Sequence, residues 1–243
     1  MAAASNRHRF LLAAVLSFMM AACVTSPSGS GPKGTNGFDP AQLAKTDTDR
    51  MADAHRREVF ASLRLLAEKL YRRNPREWRK GGANSPEAAV GRLFEPRYAW
   101  RLPEFEGKWG TDMVLLALRE DFRGDRVAAF IGGLGGMLNV AFEGKPEFFV
   151  LDELDPQKLY NSARNLEIAV WKLAQARDAE GRLLLLSNEM SPEYNLSFER
   201  EFGKMIGSLD MLARFVADKT HRGIAKAIQN VASFVFLPVA GLK

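Results

Sequence analysis

The residues in the main body of this chain that could do chemistry are two groups of carboxylates, two histidines and a run of glycines. Asp152, Glu153 and Asp155 form one acidic group, and Glu199 and Glu201 the other. Two carboxyl groups at the right separation can serve as acid and base on a glycosidic bond. Local structure accounts for most of them, because Asp155 precedes Pro156 as a helix cap and Glu199 suits the positive end of its helix. His55 falls on the apolar stripe of a helix, as a core or boundary residue. Neither it nor His221 belongs to a metal-binding spacing such as H-E-x-x-H. His221 follows Asp218 by three residues, which suits a contact at a helix end. Ser208, in "IGSLD", lacks the glycines of a nucleophile elbow. The sequence thus assigns no catalytic residue, no metal ligand and no cofactor.

The glycines lie in "IGGLGGML", Ile131 to Leu138. As a dinucleotide fingerprint the run fails on spacing, since Leu138 stands where the last glycine is needed. Gly144 and Lys145 fail as a phosphate loop, with Asn139 in place of the earlier glycine and Pro146 in place of the following Ser or Thr. Each glycine inside a helix costs about 1 kcal/mol relative to alanine, so a close approach must offset the loss. Gly132 and Gly136 are four apart, the spacing that lets two helix backbones meet. The apolar run from Val127 to Phe142 is shorter than the roughly 20 residues of a membrane span. The expectation is a buried central helix in which Gly132, Gly133, Gly135 and Gly136 pack against a neighbour, the helix that starts at Asp155.

The elements around it read as helices. Met51, His55, Val59, Leu63, Leu66 and Leu70 recur at steps of three and four until Asn74 and Pro75 end the stripe. Ser85 and Pro86 open a short helix, and Thr111 and Asp112 open another, "DMVLLALREDF", closed by Gly124. Leu159, Ala163, Leu166, Val170 and Leu173 form the next stripe, with Gly181 as its stop. Asn195 or Ser197 starts a helix with Phe202, Met205, Leu209, Leu212 and Val216 inward, and a last one is expected from Ile224 to Val235, before Pro238. "FFVL" at 148 and "LLLL" at 183 fit either extended segments or helix ends. The fold class is mainly α, a single helical bundle-like domain.

The N-terminus carries an address. Arg7, His8 and Arg9 precede an apolar run from Phe10 to Ala22 and then Cys23, the only cysteine. This is the order of a secretory signal. "MAAC", Met20 to Cys23, resembles the lipobox of bacterial lipoproteins, with Ala21, Ala22 and Cys23 fitting the pattern. The resemblance implies cleavage before Cys23, acylation of its sulfur and a lasting lipid anchor in the membrane. Val24 stands where Asp is the usual inner-membrane retention signal, so the resemblance implies the outer membrane, periplasmic face. Residues 24 to 40 have the Ser, Gly and Pro content of a flexible tether. The expected organisation is a signal peptide at 1–22, the acylated cysteine and tether at 23–40, and a helical periplasmic domain at 41–243.

Charge is uneven along the mature chain. Residues 50 to 101 hold 13 Lys and Arg against 6 Asp and Glu, a net of +7, whereas 102 to 243 hold 17 against 20, a net of −3. "YRRNPREWRKGG" and "EPRYAWRL" interleave cations with aromatic rings, a mixture that suits the boundary of lipid and water. Arg72, Arg73, Arg76, Trp78, Arg79, Lys80 and Trp100 are therefore candidates for binding an anionic surface, against the alternative of an ordinary solvated face. Nucleic acid is excluded by the compartment. The sequence points to an envelope binding or scaffolding protein, anchored in the membrane through its N-terminal lipid, with an envelope protein or anionic lipid as partner. A peptidoglycan hydrolase using the paired carboxylates and a membrane-remodelling lipoprotein are the alternatives.

Overall fold

The computed structural model describes residues 45–189, 192, 194–226 and 235–240. The expected signal peptide, Cys23, the expected tether and most of the expected last helix lie outside those residues. The described residues form a mainly helical domain: α1 (Asp47–Arg73), α2 (Pro75–Lys80), α3 (Pro86–Leu93), α4 (Thr111–Ala117), α5 (Arg126–Ala141), α6 (Pro156–Gln175) and α7 (Ser197–Thr220), with 3-10 turns at Pro96–Tyr98 and Pro103–Phe105. Among them no helix is long and apolar enough to cross a membrane.

Local chemistry sets the ends of these helices. Thr46 and Asp49 form a reciprocal capping box at the start of α1. The Ser85 hydroxyl accepts from the Ala88 amide at α3, and Asp155 accepts from the Gln157 amide at α6. α2 is a short extra helix, opened by Pro75, where the sequence predicts only a break. α4 stops at Ala117, short of the expected "REDF", because the buried Arg126 guanidinium gathers the carbonyls of Ala117, Arg119, Glu120 and Phe122 at 2.6 to 3.1 Å. α6 ends at Gln175 rather than Gly181, whose positive φ of 79° instead serves a turn between Arg177 and Leu183, which pair as an antiparallel bridge. Residues 224–226, the start of the expected last helix, run as irregular chain.

Cross-links fix the directions. Along α1 and α7, His55 meets Ser208, Ser62 meets Glu201, and Lys69 meets the Ser197 carbonyl, so rising numbers face falling ones. Tyr71 bonds Asp125 where the C-terminal end of α1 meets the start of α5, while Phe60, midway along α1, faces Phe142 at the end of α5. Glu153, just before α6, pairs with Arg222, just after α7, and Gln175 at the end of α6 lies beside Glu199 at the start of α7, so α1, α5, α6 and α7 alternate up and down, the simplest bundle topology. α5 is the central helix: it touches α1, α2, α3, α4 and α6, and every residue from Arg126 to Leu138 is buried.

The glycines of α5 are closely covered, but not by the expected neighbour. A side chain on Gly133 would begin 2.6 Å from the Gly110 carbonyl and 2.8 Å from the Val114 amide, at the start of α4. Gly132 faces Met113 and Leu102, Gly136 lies under the Trp109 indole, and Gly135 lies under the Trp100 ring. The partners are thus α4 and two tryptophans, in place of α6. The reason is geometric: glycines admit whatever group is brought to them, here the backbone at the start of α4 at Gly133 and indole rings at Gly135 and Gly136. Ala99 and Trp100 both adopt left-handed backbone, φ 44° and 64°, a strained pair that turns the Trp100 ring onto Gly135.

Candidate functional site

The basic segment sits at the C-terminal end of α1 and on α2. Arg72, Arg76, Arg79 and Lys80 are exposed, and Arg73 is half-buried. Three of these cations are engaged within the fold: Arg73 holds Glu189 at 2.9 Å, Lys80 holds Glu77 at 2.6 Å, and Arg79 lies over the Trp78 ring. Arg72 and Arg76 carry no ion pair among the described residues. Both tryptophans pack against the core; Trp78 still lies beside Arg79, whereas Trp100 turns away from the basic residues of α1 and α2. Trp100 stacks on Phe60 at 5.6 Å and meets Phe94 edge-on at 5.0 Å. An indole that can cover a glycine and two phenyl rings gains more from that burial than from water contact. A cleft of about 470 Å³ opens beside Arg73, lined also by Gln175, Arg177, Leu186, Glu189 and Glu199.

Beneath this basic end lies a polar cluster that sequence reading missed. Tyr71 donates to Asp125 Oδ2 at 2.8 Å, and the Ala128 amide donates to Oδ1 at 2.9 Å. Glu77 accepts from Lys80 and from the Arg126 amide at 2.8 Å. Asp125 and Glu77 are each only 7% exposed. Burial raises the Asp125 carboxyl to about 7, against the pull of its two hydrogen bonds. A raised acid is a familiar catalytic sign, but here all four carboxylate oxygens already serve backbone, Tyr71 or Lys80. The cluster ties α1, α2 and α5 together. Its only sequence signal is "GDR" ahead of an apolar run, a cap followed by a cation.

The carboxylates singled out by sequence do not meet. Asp152 pairs with Lys145 and Glu153 with Arg222 near the start of α6, while Asp155 caps that helix. Glu199 and the buried Glu201 lie at the start of α7, beside the opposite end of α6, and Glu201 binds Ser62 and Lys204. His55 shares a 2.7 Å hydrogen bond with Ser208 between α1 and α7, and partial burial lowers its pKa. His221 is the left-handed cap residue that ends α7. Among the described residues, no cluster of three or more His, Cys, Asp and Glu side chains could hold a metal ion.

The other end of α1 is where the chain enters the domain. Lys45 binds Asp53 and Glu147 and lies 4.8 Å from the centre of the Phe149 ring. The Phe148 amide donates to Asp53 and its ring is buried. α1 has 27 residues, which at 1.5 Å per residue puts Lys45 about 40 Å from the basic segment. The basic residues are close to the N-terminus in sequence but far from Lys45 in space.

Among known proteins, no family model, no curated protein and no solved structure matches this chain.

Proposed function

We propose that this chain is a lipoprotein of the bacterial outer membrane, acylated at Cys23, whose helical periplasmic domain scaffolds the envelope by holding an acidic partner at its basic end. The observation that carries the reading is the length of α1, which separates the Lys45 end from Arg72 and Arg76 by about 40 Å. A domain tied to a bilayer at one end can present its cations to a second component at the other. Arg72 and Arg76 supply charge that no ion pair among the described residues consumes, and their attraction to an acidic surface weakens as salt rises. The hydrolase alternative loses support from the separation of its two carboxylate groups and from their engagement in caps and ion pairs.

Two measurements in intact cells test this reading. Cys23→Ser should remove the domain from the outer-membrane fraction or leave the precursor uncleaved; unchanged fractionation would end the lipoprotein reading. A photocrosslinking side chain at Arg76 should capture an acidic envelope protein or lipid, and the yield should fall when Arg72 is changed to Gln. Capture that ignores Arg72→Gln and rising salt would end the scaffolding reading.

A further inference from the structure

The loop between α5 and α6 contains a turn whose composition conflicts with turn chemistry. The Asp152 amide donates to the Phe149 carbonyl at 2.7 Å, closing a β-turn with Val150 and Leu151 at its centre. Gly, Pro, Asn, Asp and Ser dominate tight turns because each lowers a conformational cost there. Here Val150 is 59% exposed and Leu151 is 91% exposed. The turn is held from several sides. Asp152 also accepts from the Phe149 amide and pairs with Lys145, the neighbouring Phe148 is anchored in the core, and Lys45 grips Glu147. Two apolar side chains are thus presented outward on a fixed support.

We propose that Val150 and Leu151 insert into the bilayer that holds the N-terminal lipid. The inference rests on the reading of Cys23 as acylated. Its further support is position: the chain leading from Cys23 enters the domain at Lys45, against Phe149, and Val150 shares a cleft of about 380 Å³ with Thr48 and Asp49 at the start of α1. Charge does not oppose the approach. Glu147, Asp152 and Glu153, the acidic residues flanking the turn, are paired with Lys45, Lys145 and Arg222. The lipid tail and the turn would then hold the domain at two points, which fixes its orientation and directs the basic end away from the anchoring membrane.

The test uses the full lipidated chain, in which acylation consumes Cys23, so that an introduced thiol is the only one. Leu151→Cys and, at the distal end, Arg76→Cys are each labelled with an environment-sensitive fluorophore and reconstituted into vesicles of phosphatidylethanolamine and phosphatidylglycerol. The expected result is blue-shifted, brighter emission at position 151 that acyl-chain spin labels quench, with solvent-like emission at position 76. Solvent-like emission at 151 in a chain whose mass confirms acylation, or equal responses at both positions, would overturn the proposal and leave the lipoprotein reading intact. Absence of acyl mass on Cys23 would overturn both. Leu151 is almost fully exposed, so its replacement leaves the fold unaltered.

Discussion

Helices α5 and α7 carry the same small-residue spacing with opposite meaning. Gly132 and Gly136 lie on α5, Gly203 and Gly207 on α7, four residues apart in each case. The α5 pair is buried under Met113, Leu102 and Trp109, whereas nothing among the described residues lies within 4 Å of a side chain added at either α7 glycine. The contrast extends to cations: Arg126 is buried and reaches four carbonyls, while Arg200 in the first turn of α7 is exposed. Spacing alone therefore does not identify a close approach. What separates the two helices is their surroundings, since α5 is apolar on all sides and α7 has one solvated face.

The largest expected effect comes from Arg126. Its charge sits at the start of α5, the wrong end for that helix's dipole, but its guanidinium serves the carbonyls at the end of α4. Arg126→Ala leaves those carbonyls without their donor and should lower the unfolding free energy by about 4 kcal/mol. Arg200→Ala should change it by less than about 0.5 kcal/mol. Chemical denaturation of the 41–243 domain reads both, and equal effects would break the contrast between the helices.

Gly133 comes next. An alanine there meets backbone at 2.6 to 2.8 Å, which a rotamer change cannot relieve, and should cost about 3 kcal/mol. Gly132→Ala should be milder, because the atom in its way is the mobile end of Met113. If Gly133→Ala is neutral, the seam between α4 and α5 is looser than the geometry requires.

A smaller and pH-dependent effect belongs to Asp125, which caps α5; α7 has no side-chain cap of this kind. With its folded pKa raised from 3.8 to about 7, the native chain keeps a proton that the unfolded chain has already lost between those values. Stability from this group is fully present below pH 4 and declines as pH rises through 7. Asp125→Asn retains a capping oxygen and should flatten that decline. A slope that persists in the variant would move the titration to another group.

The smallest effect has the opposite sign. Gly207→Ala, in open space on a helix, should stabilise the domain by up to about 1 kcal/mol. A loss instead would show that the exposed stripe of α7, which also displays Met211, is covered in solution.

Helix existence and most helix starts were legible in the sequence, because caps at Ser85 and Asp155 and the stripe of α1 are local signals. The burial of the glycine helix was legible too, from an apolar run too short to span a membrane. Its partner was not, since the left-handed backbone at Ala99 and Trp100 that aims an indole at Gly135 leaves no mark in composition. The same limit applies to the basic segment. Sequence supplied the cations, but which of them are held by Glu77, Glu189 or Trp78 depends on elements brought from over a hundred residues away in one case and from the adjacent turn in the others.

Three amides one helical turn apart on α6 have a consequence for the order of assembly. Asn165 exchanges hydrogen bonds with both the amide and the carbonyl of Leu237, Asn161 donates to the Pro238 carbonyl, and Gln157 makes the same two-way exchange with Ala225. Val239 is buried alongside. These bonds join residues 68 to 77 positions apart, so α6 is synthesised long before the backbone it will clasp. Until that stretch emerges, Asn165 faces its site without a partner and the groove stays wet. Closure of this side of the domain therefore waits until Ala225, Leu237 and Pro238 have been synthesised, and α6 stays loosely covered there until then.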